Sequence, residues 1–219
     1  MVLTRHRGTV AGLLLVMVLS ACARVPGVYV YEKSGGANSG AAAPTDAKSY
    51  VAANWAKKIV PTVHDKAVEI TTVAAAIAKD PDAAGKQYGH QAGTGSPYAF
   101  MVKGSGTVTK VDTAAPTGPM TVEVPRPGGS PLTITVATGP VIAGTAVRDA
   151  VGFISFGDFT NQIAYANVAN EINNKVKTDV LAKVDRASLT GKKISFYGAF
   201  SALTGGQIFL VPTELEVAP

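Results

Sequence analysis

The chain has 219 residues, 47% of them hydrophobic and 16% charged, with 20 basic against 15 acidic side chains and a formal charge of +5 at pH 7. That mild excess, with no long run of Lys or Arg, excludes a nucleic-acid footprint, and the single cysteine excludes an internal disulfide. Stability must come from an apolar core, for which about 200 residues suffice as one domain or one barrel with a helical appendage.

The N-terminus MVLTRHRGTVAGLLLVMVLSAC sets Arg5 and Arg7 ahead of an apolar run over 10–19 that is too short for a permanent membrane span. Residues 1–21 therefore read as a signal peptide. Leu19-Ser20-Ala21-Cys22 resembles the lipobox of bacterial lipoproteins, in which the cysteine is lipidated. An ordinary signal peptide is the competing reading, but a lone cysteine in an exported chain needs a use, and lipidation of Cys22 supplies one. Several acyl chains on one residue anchor stably where a single chain does not. Cleavage before Cys22 removes Arg5 and Arg7 and leaves a nearly balanced mature chain.

Residues 22–44, with SGGANSGAAAP as their clearest part at 34–44, have the composition of a flexible tether with a reach on the order of 25 Å. A helical subdomain is expected over 45–89. Thr45 or Asp46 caps a first helix through AKSYVAANWAKKIV, and Pro61 stops or kinks it. The helical period then continues through VHDKAVEITTVAAAIAKD, and Asp80-Pro81 opens a third helix ending near Tyr88.

Residues 90–219 change to Gly, Pro, Thr and Val with frequent turn signals. Strands are expected at 98–112, 120–124, 132–137, 192–200 and 207–217, with PRPGGSP at 125–131 as a hairpin loop. A long helix over 162–184, capped by Thr160 or Asn161, falls between the third and fourth strands. The fold expected is α+β, an N-terminal helical subdomain followed by an OB-like five-stranded barrel with that helix between strands 3 and 4.

No cofactor is expected, since the mature chain's two histidines, His64 and His90, lie in different segments and read as solvated surface residues. Neither G-x-S-x-G nor a phosphate-cradling glycine loop occurs, and the expectation is a non-enzyme. FISFGDFTNQ at 153–162 is the most distinctive stretch. On one reading it is a corner, with phenylalanines filling the barrel mouth and polar residues capping the helix; on the other, Arg148, Asp158, Asn161, Gln162 and Tyr165 converge on a polyol or a protein, with a phenylalanine as stacking floor.

The segments KQYGHQAGTGSPYAFMVKGSGTV, GPVIAGTAVRDAVGFISFGDFTNQIAYANVANEIN and LTGKKISFYGAF resemble a family of predicted periplasmic lipoproteins of unknown function. The resemblance implies a periplasmic, membrane-anchored protein with helices before an OB-like barrel, often encoded beside sugar or polyol ABC transporters. It implies as partners the membrane, through lipidated Cys22, and an ABC-transporter substrate-binding protein or permease. It carries no defined binding residue to this chain and leaves inner against outer membrane open. The expected function is a non-enzymatic accessory of such a transporter; the alternatives are a small-ligand or oligosaccharide-binding module and a structural envelope lipoprotein.

Overall fold

The computed structural model describes residues 46–202 and 206–218, so the expected leader, Cys22 and the tether lie outside the described residues. The chain enters through α1 (Ala47–Asn54), capped by Asp46, whose carboxylate accepts from the backbone N–H groups of Lys48 and Ser49. Pro61 does not stop this helix. A proline lacks the N–H that would bond four residues back and its ring presses on that carbonyl; the chain instead widens into a π turn over Trp55–Ile59, where the Val60 N–H reaches the Trp55 carbonyl, and continues as α2 (Val60–Lys66).

The helical period expected across 67–69 is broken. Val68–Glu69 forms a short strand, β1, pairing in parallel with Val102 and Lys103, before α3 (Ile70–Lys79) resumes. Those two residues lie where the long strand β3 (Tyr98–Val111) has no other neighbour on that side, since β4 (Pro119–Val124) pairs with it only from Thr107 onward. An open strand edge outweighs helical propensity here. Asp80 caps α4 (Pro81–Tyr88) with both the Asp82 and Ala83 N–H groups, as expected, and β2 (Gly89–Gln91) then folds back on the start of β3.

Strands β3, β4 and β5 (Leu132–Ala137) form an antiparallel meander, with PRPGGSP as the expected loop between the last two. Between β5 and the two last strands come α5 (Ala146–Ala150), α6 (Gln162–Lys175), a π turn over Val176–Val180 and single 3-10 turns. β6 (Lys193–Ser201) pairs with β3 along its length and with β7 (Phe209–Val217), and β7 pairs in parallel with β5. The five strands thereby close in the order β3-β4-β5-β7-β6, the connectivity of an OB barrel.

Closure needs backbones to approach closely. A Cβ on Gly106 would stand 2.5 Å from the Glu123 carbonyl oxygen, at the place where β3 leaves β6 and takes up β4.

Two cores result. One fills the barrel with Phe100, Val122, Ile134, Phe196 and Leu210, closed at one end by Ile70 and Val73 of α3. The other lies outside it, where Ala99, Ala137 and Ala199 present small side chains and α1, the π turn, α2, α5 and α6 pack over them through Val51, Trp55, Val63, Val147 and Ile172. His64 of α2 reinforces this layer, stacking on Tyr197 at 4.2 Å between centroids with its Nδ1 3.0 Å from Glu214.

Candidate functional site

The aromatic content of FISFGDFTNQ suggests a strand, with Phe153 and Phe156 on opposite faces, but the structure has none there. Ser155, Phe156 and Gly157 enter a 3-10 turn over Phe156–Asp158 instead, because the Asp158 carboxylate turns back to accept the Ser155 N–H at 2.9 Å, a reciprocal cap at an isolated turn. The aromatic rings consequently separate by depth rather than by strand face. Ile154 and Phe159 are buried, Phe153 is half-buried, and Phe156 is 54% exposed.

Asn161, two residues beyond Phe159, caps α6, its Oδ1 accepting the Ala164 N–H at 2.9 Å. Gln162 is the first helical residue and is exposed, and Ile163 beside it is 72% exposed.

One turn on, Tyr165 meets Arg148 from α5. The guanidinium carbon lies 3.9 Å from the centroid of the Tyr165 ring, Nη1 donates to the Tyr165 carbonyl at 3.3 Å, and Nε donates to Asp149 Oδ1 at 2.8 Å. Arg148 is only 8% exposed. The second oxygen of Asp149 accepts the Thr145 hydroxyl, so this buried pair is closed on itself.

The structure therefore brings Arg148 and Tyr165 into contact and binds Asp158 and Asn161 into local caps. Around them stand residues that sequence periodicity does not single out. Tyr50 of α1 packs edge-on against Phe159 at 5.3 Å, and Tyr165 lies 5.8 Å from both Phe156 and Phe159. Burial raises the pKa of Tyr50 and, secondarily, so does the Asp158 charge. Tyr165 is likewise raised by burial, with Arg148 pulling the other way. Both phenols stay protonated at neutral pH and act as amphipathic surface rather than as bases. Neither histidine donates to or accepts from a hydroxyl: His64 meets Glu214, and His90, half-buried rather than solvated, places Nδ1 2.6 Å from the Asp149 carbonyl.

A concavity of about 210 Å³ lies beside α3, lined by Ile77, Leu132, Phe200 and Ile208 together with Arg126 of the β4–β5 loop.

Residues 13–216 match the model of a family described as predicted periplasmic lipoprotein (DUF2291). The chain belongs to that family. The family's description carries a compartment, the periplasm, and a lipid-anchored class, and no activity. Among solved structures the chain is similar to an OB-fold protein from Thermotoga maritima, with a TM-score of 0.64 and 21% identity over 79% of this chain and 98% of that one. At that identity the likeness speaks for the fold alone, and it agrees with the closed barrel. Among curated proteins none matches the chain.

Proposed function

We propose that this lipoprotein is a non-enzymatic accessory of a sugar or polyol ABC importer, anchored through lipidated Cys22 and offering its folded body to the substrate-binding protein or the permease. The observation that supports this best is the composition of the α6 entrance. Its polar groups, Arg148, Asp158 and Asn161, are already committed to internal partners, while Phe156 and Ile163 stand exposed within eight residues of each other. A surface that keeps apolar side chains in water and withholds its hydrogen-bonding groups suits contact with another protein better than recognition of a polyol. Tethering at the membrane raises the local concentration of such a surface around a membrane partner without any further contact.

The test is a photo-crosslinking residue at position 163 or 156 in the full-length protein, activated in living cells and followed by mass spectrometry. Recovery of an ABC permease or its binding protein, together with slowed sugar uptake in a Phe156→Ser/Ile163→Ser strain, is the expected result. Unchanged uptake and growth on every sugar tested after deletion of the gene would sink the accessory reading. Crosslinks confined to peptidoglycan-associated or outer-membrane proteins would instead favour a structural envelope role.

A further inference from the structure

Beside the helical layer, α2 and the turn before it form an open groove with β2, β3 and the segment after α5. It holds about 530 Å³ and is lined by Lys58, Thr62, Lys66, His90, Met101 and Phe153. Lys58, Thr62 and Lys66 follow one another at intervals of four along the helical run. No acidic residue lines the groove, and neither lysine has an ion-pair partner among the described residues. Asp65 precedes Lys66 in the chain but does not line the groove, and Asp149, beside the far wall, is paired with Arg148 and accepts the Thr145 hydroxyl.

The far wall is arranged around His90. Its Nδ1 lies 2.6 Å from the Asp149 carbonyl, which only accepts, so the ring proton of the neutral imidazole sits on Nδ1 and Nε2 is left as an acceptor. Nε2 has no hydrogen-bond partner among the described residues, and since no buried side-chain polar atom there lacks one, Nε2 keeps access to solvent, on a side chain that lines the groove. Gly152 makes room for this placement. Its φ is +75°, and a Cβ there would stand 3.1 Å from His90 Cδ2 and 3.3 Å from Nε2. Beside it the Phe153 ring forms a flat wall, with Lys58 Nζ 4.1 Å from its centroid.

We propose that this groove binds the phosphoryl group of a phosphate monoester. Lys58 and Lys66 supply positive charge, the Thr62 hydroxyl donates to a phosphoryl oxygen, and His90 Nε2 accepts the proton of a P–OH. Two ammonium groups without a guanidinium fork suit a tetrahedral anion approached from several sides better than a planar carboxylate. Met101 and Phe153 form the apolar floor for the uncharged remainder. The same chemistry is offered by a soluble organic phosphate monoester and by the monoester headgroup of phosphatidic acid, and the groove is lined by neither Phe156 nor Ile163 of the surface invoked above.

The mature chain contains two histidines, so each ring can be followed by NMR, with His64 as an internal reference identified by a His64→Gln variant. The protein, purified from membranes in a neutral detergent, would be titrated with inorganic phosphate, glycerol 3-phosphate, sulfate, and micelles doped with phosphatidic acid, whose headgroup is a phosphate monoester. The expected result is a saturable shift of the His90 ring signals with phosphate and no shift at His64. Sulfate, which has no proton to give Nε2, should bind more weakly. Lys58→Gln and Lys66→Gln should each weaken phosphate binding about tenfold, the loss of one charge-assisted hydrogen bond, while leaving the thermal midpoint near that of the parent.

Saturation by glycerol 3-phosphate supports the soluble source, and saturation only in doped micelles supports the headgroup. The proposal is overturned if none of the phosphates shifts His90 saturably at millimolar concentration, or if sulfate matches phosphate. It is also overturned if both lysine variants, shown folded by their midpoints, bind as the parent does.

Discussion

Replacing Arg148 by methionine separates a structural role from a recognition role at the α6 entrance. The side chain is 9% exposed and its partner Asp149 is 13% exposed, with 2.8 Å between Nε and Oδ1. Removing one member of a buried pair costs about 3–5 kcal/mol, because the other charge is left without its counter-ion. Asp149 keeps the Thr145 hydroxyl and a little solvent, which places the loss at the lower end, and the methionine refills the volume against Tyr165 without the cation–π attraction of roughly 1–2 kcal/mol. A destabilisation of about 3 kcal/mol is expected, read from urea unfolding as a lower midpoint at unchanged slope. Asp149→Ala should cost a comparable amount, and the double variant should fall short of the sum by about 2 kcal/mol, since each single change already breaks the shared contact. A loss under about 1 kcal/mol for Arg148→Met, or strict additivity, refutes this reasoning. A variant that keeps its midpoint but loses sugar uptake would assign Arg148 to recognition instead.

Asn161→Ala should destabilise by about 1 kcal/mol and Asn161→Asp by much less, because the carboxylate restores the acceptor for the Ala164 N–H; equal losses in thermal midpoint would show that the cap is not what Asn161 contributes. Gly106→Ala should cost roughly 1–3 kcal/mol, since the new Cβ meets the Glu123 carbonyl, whereas Gly157→Ala meets nothing within 4 Å and should stay within about 0.5 kcal/mol of the parent. Stability should fall as pH rises past 10.0, the ordinary tyrosine value, because Tyr50 and Tyr165 hold their protons to higher pH when folded, chiefly through burial. Thermal melts of Tyr50→Phe/Tyr165→Phe should flatten that alkaline limb, and an unchanged limb would deny the two phenols any part in it. Asp179, held below 3.8 chiefly by the Thr178 hydroxyl, contributes in the opposite sense: its share is present above 3.8 and lost as the pH falls further, and Thr178→Val should reduce it.

The five barrel strands were legible because their burial alternates and turn residues bracket them: β5 spans the expected 132–137, and β4 begins one residue earlier than expected, at Pro119. What escaped has a tertiary cause or is too short to show a period. β1 exists only because β3 offers it an unpaired edge, and the five residues of α5 make too little of a turn for periodicity to register. In FISFGDFTNQ the aromatic composition suits a strand, while Ser155 and Asp158 carry the information that overrides it. The cap at Asn161 was readable from residue type alone. The contact between Tyr50 and Phe159, and the bond from His90 to the Asp149 carbonyl, join residues far apart in the chain and leave no local trace.

The two π turns share one cause, and it is written in the sequence. Buried residues of the outer core recur at intervals of four in both helical runs: Val51, Trp55, Ile59 and Val63 in the first, Val168, Ile172, Val176 and Val180 in the second. An α-helix advances 100° per residue, so a strict interval of four drifts by about 40° at each step and about 120° across such a run, enough to carry the last side chain off the buried face. A turn closed five residues back holds more residues and takes up that drift. The wide turns lie at Trp55–Ile59 and Val176–Val180, within the runs that need them, and each closes five residues back, from Val60 to the Trp55 carbonyl and from Leu181 to the Val176 carbonyl. Pro61 favours the first, but the second contains no proline. The packing period is therefore the common cause, and the proline only reinforces it where it occurs. The same interval sets Lys58, Thr62 and Lys66 along a row that flanks the buried one, one residue and about 100° away, so the register that buries Ile59 and Val63 also lines the groove with two cations and a hydroxyl.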